Sequence, residues 1–246
     1  MKSFYRHDLA SIHDGGFGVL ARAAASELLA RLTPMPQSRP LIVELGCGSG
    51  ILSERLAASD YRVLGVDLSE SLLALARSRV PTGEFRLASC YDVAIPPCTA
   101  VAAIGEVFCY RFDRRASVAT LQRLFRRVFQ SLLPGGLFLF DMAAPGRVIG
   151  GRNRSFVATE DWACLVEATE MADRRTLERR ITTFRRVDAS ANFRRDEEIH
   201  QLRLYEPPVI VDALRHMGFR VRTLKGYDDF QFSPGWCGFL ARKPAR

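Results

Sequence analysis

Lysine is almost missing from this basic chain. Of its 35 lysine and arginine residues only Lys2, Lys225 and Lys243 are lysine, yet the formal net charge is +8 over 246 residues. The arginines are scattered, several as doublets such as Arg126-Arg127, Arg179-Arg180, Arg185-Arg186 and Arg194-Arg195, often beside acidic residues. A nucleic-acid binder gathers its charge into one stripe interleaved with aromatic platforms. The scatter therefore argues against nucleic acid as partner, while leaving the doublets free to meet an anionic small molecule. No apolar run approaches the length of a bilayer span, and the start, Met1-Lys2-Ser3-Phe4-Tyr5-Arg6, lacks the apolar core of a signal peptide. No membrane partner is expected. The six cysteines (Cys47, Cys90, Cys98, Cys109, Cys164, Cys237) form no C-x-x-C pair and share no metal-ligand spacing with the four histidines. That predicts no metal, and thiols kept reduced in the cytoplasm.

What is present is concentrated in Leu41-Ile42-Val43-Glu44-Leu45-Gly46-Cys47-Gly48-Ser49-Gly50. A short apolar strand runs into glycines at alternate positions, and Ile51 to Ala57 then has helical spacing. Glycine allows a tight turn at either sign of φ and lets backbone touch a ligand where a Cβ would clash. A loop joining a strand to a helix N-terminus lies where open α/β sheets bind their ligands. A dinucleotide fingerprint would read G-x-G-x-x-G. Here the spacing is G-x-G-x-G, and Glu44 would put a negative charge near a pyrophosphate. A cationic or zwitterionic ligand suits the loop better. Asp67, 17 residues after Gly50, closes a second strand, Tyr61 to Val66. A carboxylate at that place accepts the hydroxyls of a ribose. Ser69 then reads as a helix N-cap, with Leu72, Leu73, Leu75 and Ala76 on the buried side.

Together, Glu44, the glycine triplet and Asp67 resemble the first motifs of class I S-adenosylmethionine-dependent methyltransferases. The rest of the chain keeps that grammar. Strands are expected at Glu84 to Ala88, Val101 to Ile104 and Leu137 to Asp141, with a helix from Val118 to Leu132 stopped by Pro134-Gly135-Gly136. A helix from Val209 to Met217 and strands Phe219 to Leu224 and Trp236 to Arg242 close the chain. That ending resembles the reversed C-terminal hairpin of methyltransferase folds. The expected fold is α/β, a doubly wound seven-stranded Rossmann-like methyltransferase sheet with an antiparallel insertion after the fifth strand. The insertion reads as three extended segments, Trp162 to Met171, Thr176 to Val187 and Phe193 to Leu204, joined by polar turns at Asp173-Arg174 and Asp188-Ala189-Ser190. It reads as a substrate cap over residues 151–204, with a plain sheet extension or a homodimer surface as the alternative. Residues 40–150 with 205–246 form the expected cofactor domain. Residues 1–39 form an N-terminal helical lid, with Gly15-Gly16-Phe17-Gly18 as its flexible joint.

The resemblance implies S-adenosylmethionine as cofactor, contacted by Phe17, Glu44, Gly46, Cys47, Gly48, Gly50, Asp67, Leu68, Ser89, Cys90, Gly105 and Glu106. The family more often carries Asp where Ser89 stands, at the edge of the adenine. The implied reaction is methyl transfer to a nitrogen or oxygen of a small-molecule acceptor. Such an acceptor must lose a proton, so a histidine or carboxylate near the methyl is the expected base. His200, in the last insertion strand, and Glu106, after the fourth strand, are the candidates, with Tyr110 and Trp162 on the acceptor wall. No D/N-P-P-Y/F motif follows the fourth strand, which removes the signature of amide and exocyclic-amine methylation. A non-catalytic module that binds the cofactor or its product and acts through a partner has the same loop. An aminopropyltransferase shares the fold but wants a more acidic channel.

Overall fold

The computed structural model describes residues 4–32, 39–171, 175–187 and 192–245. The expected turns at Asp173-Arg174 and Asp188-Ala189-Ser190 lie outside the described residues. A seven-stranded sheet is built from β1 (Leu41–Leu45), β2 (Arg62–Asp67), β3 (Glu84–Leu87), β4 (Cys98–Ala103), β5 (Leu132–Ala143), β10 (Arg220–Leu224) and β13 (Trp236–Arg242). Its order is β10-β13-β5-β4-β1-β2-β3. β1, β2, β3, β4 and β5 run parallel, while β13 lies antiparallel between β5 and β10. This is the expected sheet with its reversed terminal hairpin.

Strict alternation along the central strands divides the core in two. Val43, Leu45, Val101, Ala103, Phe138 and Phe140 face one side, with Phe108 and the buried stripe Leu121, Leu124, Phe125 and Val128 of helix α5 (Val118–Ser131). Ile42, Ala100, Ala102, Leu137 and Leu139 face the other. There they meet Ala24 and Leu28 of α2 (Val19–Leu29), and Leu52 and Leu56 of α3 (Ile51–Ala58). Ser117 starts α5 with a capping box shared with Thr120, and Ser69 accepts Leu72 N–H at the start of α4 (Glu70–Arg79). The chain winds from β1 towards β3 on one side and from β4 towards β10 on the other. A crevice therefore opens beyond the carboxyl ends of β1 and β4, at the switch point of the sheet.

Several local expectations are corrected. The insertion has four strands, β6 (Arg152–Ala158), β7 (Trp162–Met171), β8 (Thr176–Arg186) and β9 (Phe193–Arg203), in an antiparallel meander. All seven residues of β6 are exposed, so Arg152 to Ala158 carries no buried face and hence no apolar alternation to read. Pro134-Gly135-Gly136 lies within β5 as a bulge, with Cys98 opposite Leu132 and Ala100 opposite Leu137. The loop between β10 and β13 holds a small hairpin, β11 (Gly226–Tyr227) and β12 (Phe230–Gln231). At the N-terminus α1 (His7–Gly16) includes Gly15 and Gly16, and Phe17 is its C-cap. After β5 and the insertion, α6 (Pro207–His216) leads back into the sheet, with proline in its first turn. No helix among the described residues is long and apolar enough to cross a membrane.

Candidate functional site

The switch point holds a cleft of about 910 Å³, counted out to its mouth. Its floor is the glycine loop after β1. Gly46 and Cys47 donate their N–H groups to Val66 O, and Gly48 N–H donates to Asp67 Oδ2 at 2.9 Å. Asp67 Oδ1 accepts Ser69 N–H at 2.9 Å, so one carboxylate ties the loop to the start of α4. Two backbone donors leave further lone pairs on a carboxylate that lines the cleft. Burial pushes the Asp67 carboxyl up, against the Ser69 and Gly48 amides. Gly46 sits at φ +70°, where a Cβ would lie 2.6 Å from a Val107 methyl. Gly48, at φ +53°, would direct a Cβ into open space. Backbone presented to an empty rim in this way admits a close ligand.

Of the residues expected to touch the cofactor, the cleft brings together Phe17, Gly46, Gly48, Asp67, Leu68, Cys90 and Gly105. Phe17 and Leu68 are large apolar side chains left 40% and 42% exposed there, which suits packing against a ligand. Glu44, Cys47, Gly50, Ser89 and Glu106 do not line it. Glu44 is 3% exposed and accepts the Ser53 hydroxyl of α3 from behind the loop. Burial pushes its carboxyl up to about 8, so at neutral pH it holds little of the negative charge that was weighed against a pyrophosphate. The Cys47 thiol is buried beside Gly65 and is also pushed up by burial. Gly50, at φ +77°, packs against Ala76 of α4.

Above the floor stands an aromatic wall. Tyr5 and Tyr110 share a hydroxyl–hydroxyl bond of 2.9 Å, and both line the cleft with His13, Phe17 and Phe112. His13 meets Tyr5 edge-on, with ring centroids 5.3 Å apart, and stacks with Phe17 at 5.9 Å. Its Nδ1 is buried and has no hydrogen-bond partner. Burial pushes the imidazole down to about 4, which Asp14 opposes and His200 reinforces, so at neutral pH it is uncharged, an open but weakly basic acceptor.

Neither base expected from the sequence reaches the cleft. His200 is fully buried, one ring behind the wall, with centroids 5.0 Å from Tyr5 and 5.7 Å from Tyr110. Its Nε2 lies 2.9 Å from Glu198 Oε2. Glu106 is held by Arg147 Nε at 2.7 Å and Arg179 Nη2 at 2.6 Å. Burial pushes that carboxyl up, but Arg179 and Arg147 together hold it below its ordinary value. A carboxylate so paired is a poor proton acceptor. Trp162 also misses the cleft; its ring lies where a Cβ on Gly16 would stand, at 2.7 Å, and backs Phe17 at 6.5 Å.

The N-terminal segment is pinned at several points. Glu198 accepts the N–H groups of Tyr5 and Arg6, each at 2.8 Å, and Ser69 Oγ donates to Tyr5 O at 2.9 Å. Asp8 pairs with Arg194 and Arg185, and Asp14 with Arg79. The arginine doublets of β8 and β9 are likewise paired: Arg179, Arg180, Arg185, Arg186, Arg194 and Arg195 each meet a carboxylate. They latch segments together and form no phosphate track.

Sequence reasoning missed Asp141, which organises the loop after β4. Fully buried at the end of β5, it accepts Gly105 N–H at 2.9 Å, Glu106 N–H at 2.8 Å, Trp236 Nε1–H at 2.8 Å and the Tyr227 hydroxyl at 3.2 Å. Burial pushes it up to about 6 against those donors. A carboxylate closing an apolar strand was the available signal. Asp113 and Arg179 gave none, because their partners are remote in sequence. Among the described residues no three His, Cys, Asp or Glu side chains group as metal ligands, and all six cysteines are free.

Residues 42–136 match the family described as a methyltransferase domain. A protein of Geobacillus sp. (strain WCH70) named as a methyltransferase is 24% identical over 193 residues, 75% of this chain and 76% of its own length. Among solved structures, an S-adenosylmethionine-dependent methyltransferase of Clostridium acetobutylicum ATCC 824 superposes with a TM-score of 0.78 at 18% identity, covering 96% of this chain and 97% of that one. CalS10 of Micromonospora echinaspora, an amino pentose methyltransferase solved with S-adenosylmethionine bound, gives 0.71 at 20% identity, with 99% of both chains covered. Residues 42–136 are thus similar to a methyltransferase domain, and the chain as a whole shares the fold of the S-adenosylmethionine-dependent methyltransferases it superposes on. The residues of its cleft fit that cofactor: an open glycine rim, a carboxylate with free lone pairs beyond it and half-exposed apolar side chains between.

Proposed function

We propose that the enzyme methylates a nitrogen or oxygen atom of a small molecule held beneath the aromatic wall, with His13 as the proton acceptor. The observation that carries this reading is the half-buried imidazole of His13, its Nδ1 buried without a partner, beside the Tyr5–Tyr110 pair and inside the same cleft as the glycine loop. When bound, S-adenosylmethionine supplies an electrophilic methyl on a sulfonium. Gly46 and Gly48 hold its amino acid end, Asp67 accepts from the ribose hydroxyls, and Phe17, Leu68, Cys90 and Gly105 enclose the rest. Glu44, Cys47, Gly50 and Ser89 shape the loops from behind. Tyr5 and Tyr110 orient the acceptor through their hydroxyls, and His13 takes the proton the acceptor must lose. Residues 1–39 act as the lid and residues 151–204 as the cap, excluding water from the reaction. The paired arginines of β8 and β9 favour a small acceptor over a polyanion.

The test is formation of S-adenosylhomocysteine with a panel of primary amines, amino sugars and hydroxylated acids. His13→Gln should lower kcat against the best acceptor about 100-fold or more, leave cofactor affinity unchanged and flatten the acidic limb of the pH–rate profile. Wild-type turnover in that variant would remove His13 from the mechanism.

A further inference from the structure

Two carboxylates line the cleft. Asp67 stands at the tip of β2, and Asp113 belongs to the loop that follows β4. Asp113 is 8% exposed and reaches the cleft beside Ala88 and Cys90, the residues that flank Ser89. Ser89 itself does not line the cleft. Its hydroxyl donates to Asp113 Oδ2 and accepts Tyr91 N–H at 3.0 Å, so its one donor is already occupied. Asp113 Oδ1 accepts Arg115 N–H at 2.9 Å. With one hydrogen bond on each oxygen and the Arg115 guanidinium 4.0 Å from Oδ1, the carboxylate keeps acceptor capacity for a ligand in the cleft it lines.

A nucleoside of adenine offers two sets of donors, the ribose hydroxyls and the exocyclic 6-amino group. With Asp67 taking the first, a second acceptor at the base edge would complete the match. We propose that Asp113 reads the 6-amino group of the cofactor's adenine. A loop beyond β4 thereby supplies the carboxylate that the Ser89 position lacks, and Ser89 aims it. The proposal rests on the reading of this cleft as the S-adenosylmethionine site. It adds a specificity residue that neither the glycine loop nor the strand after α4 provides.

The test compares S-adenosylhomocysteine with its deaminated 6-oxo analogue, S-inosylhomocysteine, by calorimetric titration. A carboxylate attracts the amino group and repels the oxo group, so wild type should favour the amino ligand about tenfold or more. Asp113→Asn keeps both local bonds, since the amide carbonyl can accept Arg115 N–H and the amide nitrogen can donate to Ser89 Oγ. It also offers a donor to the 6-oxo group, so the preference should vanish or invert. Ser89→Ala leaves the carboxylate in place and should keep most of the preference. Asp67→Ala should weaken both ligands alike and leave their ratio unchanged. A folded Asp113→Asn variant, judged by its thermal unfolding, that keeps the wild-type ratio would overturn the proposal. Failure of both ligands to bind wild type would overturn the cofactor reading itself, a distinct outcome from an unchanged ratio.

Discussion

The floor and the wall of the cleft are built by opposite means. The floor is backbone: three glycines, a turn tied to Val66 O, and one carboxylate that accepts two amides within a span of some twenty residues. The wall is side chain, gathered from distant parts of the chain, with Tyr5 and His13 from the N-terminus, Tyr110 from the loop after β4 and His200 from β9 behind them. The floor needs local geometry only. The wall exists only while ion pairs and amide bonds hold residues 5–14 against β9 and α4. The floor should therefore respond to substitution by losing cofactor, and the wall by losing turnover.

The sharpest way to break that contrast is to remove the N-terminal half of the wall. Deletion of residues 1–14 takes away Tyr5, His13 and the Asp8 latch while leaving the seven-stranded sheet. Turnover should fall about 100-fold or more, with the far-UV spectrum retained. Turnover at the wild-type level would show that the cap alone makes the wall.

On the floor, Asp67→Ala should weaken S-adenosylhomocysteine by about 1–3 kcal/mol in calorimetry, because charge-assisted bonds to the ribose and to the loop amides are lost together. Acceptor KM at saturating cofactor should barely move. A large shift in acceptor KM with cofactor affinity intact would erase the division between floor and wall.

Acid should loosen the wall first. His13 has its pKa lowered from 6.5 to about 4, so between those values the opened chain binds more protons than the closed one. Closure therefore weakens as pH falls through that window. Below it Asp8 contributes in the same direction. Arg194 holds its carboxyl well below the ordinary 3.8, against its burial and with help from His7 and Arg185. That stabilisation is complete above the ordinary value and lost as pH falls beneath it. Hydrogen exchange of residues 4–17 should rise from about pH 6 downwards, while the amides of β1 and β4 stay protected. A uniform rise across both regions would contradict this order.

The smallest effect is expected on the outer face of α4. Arg77 and Glu70 are paired there with side chains 43% and 60% exposed. Glu70→Gln should change stability by less than about 0.5 kcal/mol in denaturant melts and leave both halves of the site untouched.

The contrast also explains what could be read in the residue order. The glycine loop, Asp67 and the Ser69 cap were legible because each acts within a turn or two of chain, and the alternating strands declare their two buried faces by period alone. β6 was missed because Arg152 to Ala158 buries nothing. His200 and Glu106 were expected as bases, and neither lines the cleft. The direction of a side chain depends on what packs against it, and Arg147, Arg179 and Glu198 had no local mark.

The sequence by itself determined the central strands, the glycine loop and the carboxylate after β2, since hydrophobic period and glycine spacing are local constraints. Only the tertiary structure decided which titratable groups face the cleft. It paired Glu106 with two arginines, set His200 behind a tyrosine, and left His13 unpaired and Asp113 turned towards the cleft beside Ser89. Burial and partnership, which fix whether a side chain is a counter-ion, a prop or a base, arise only when segments far apart in the chain are packed together.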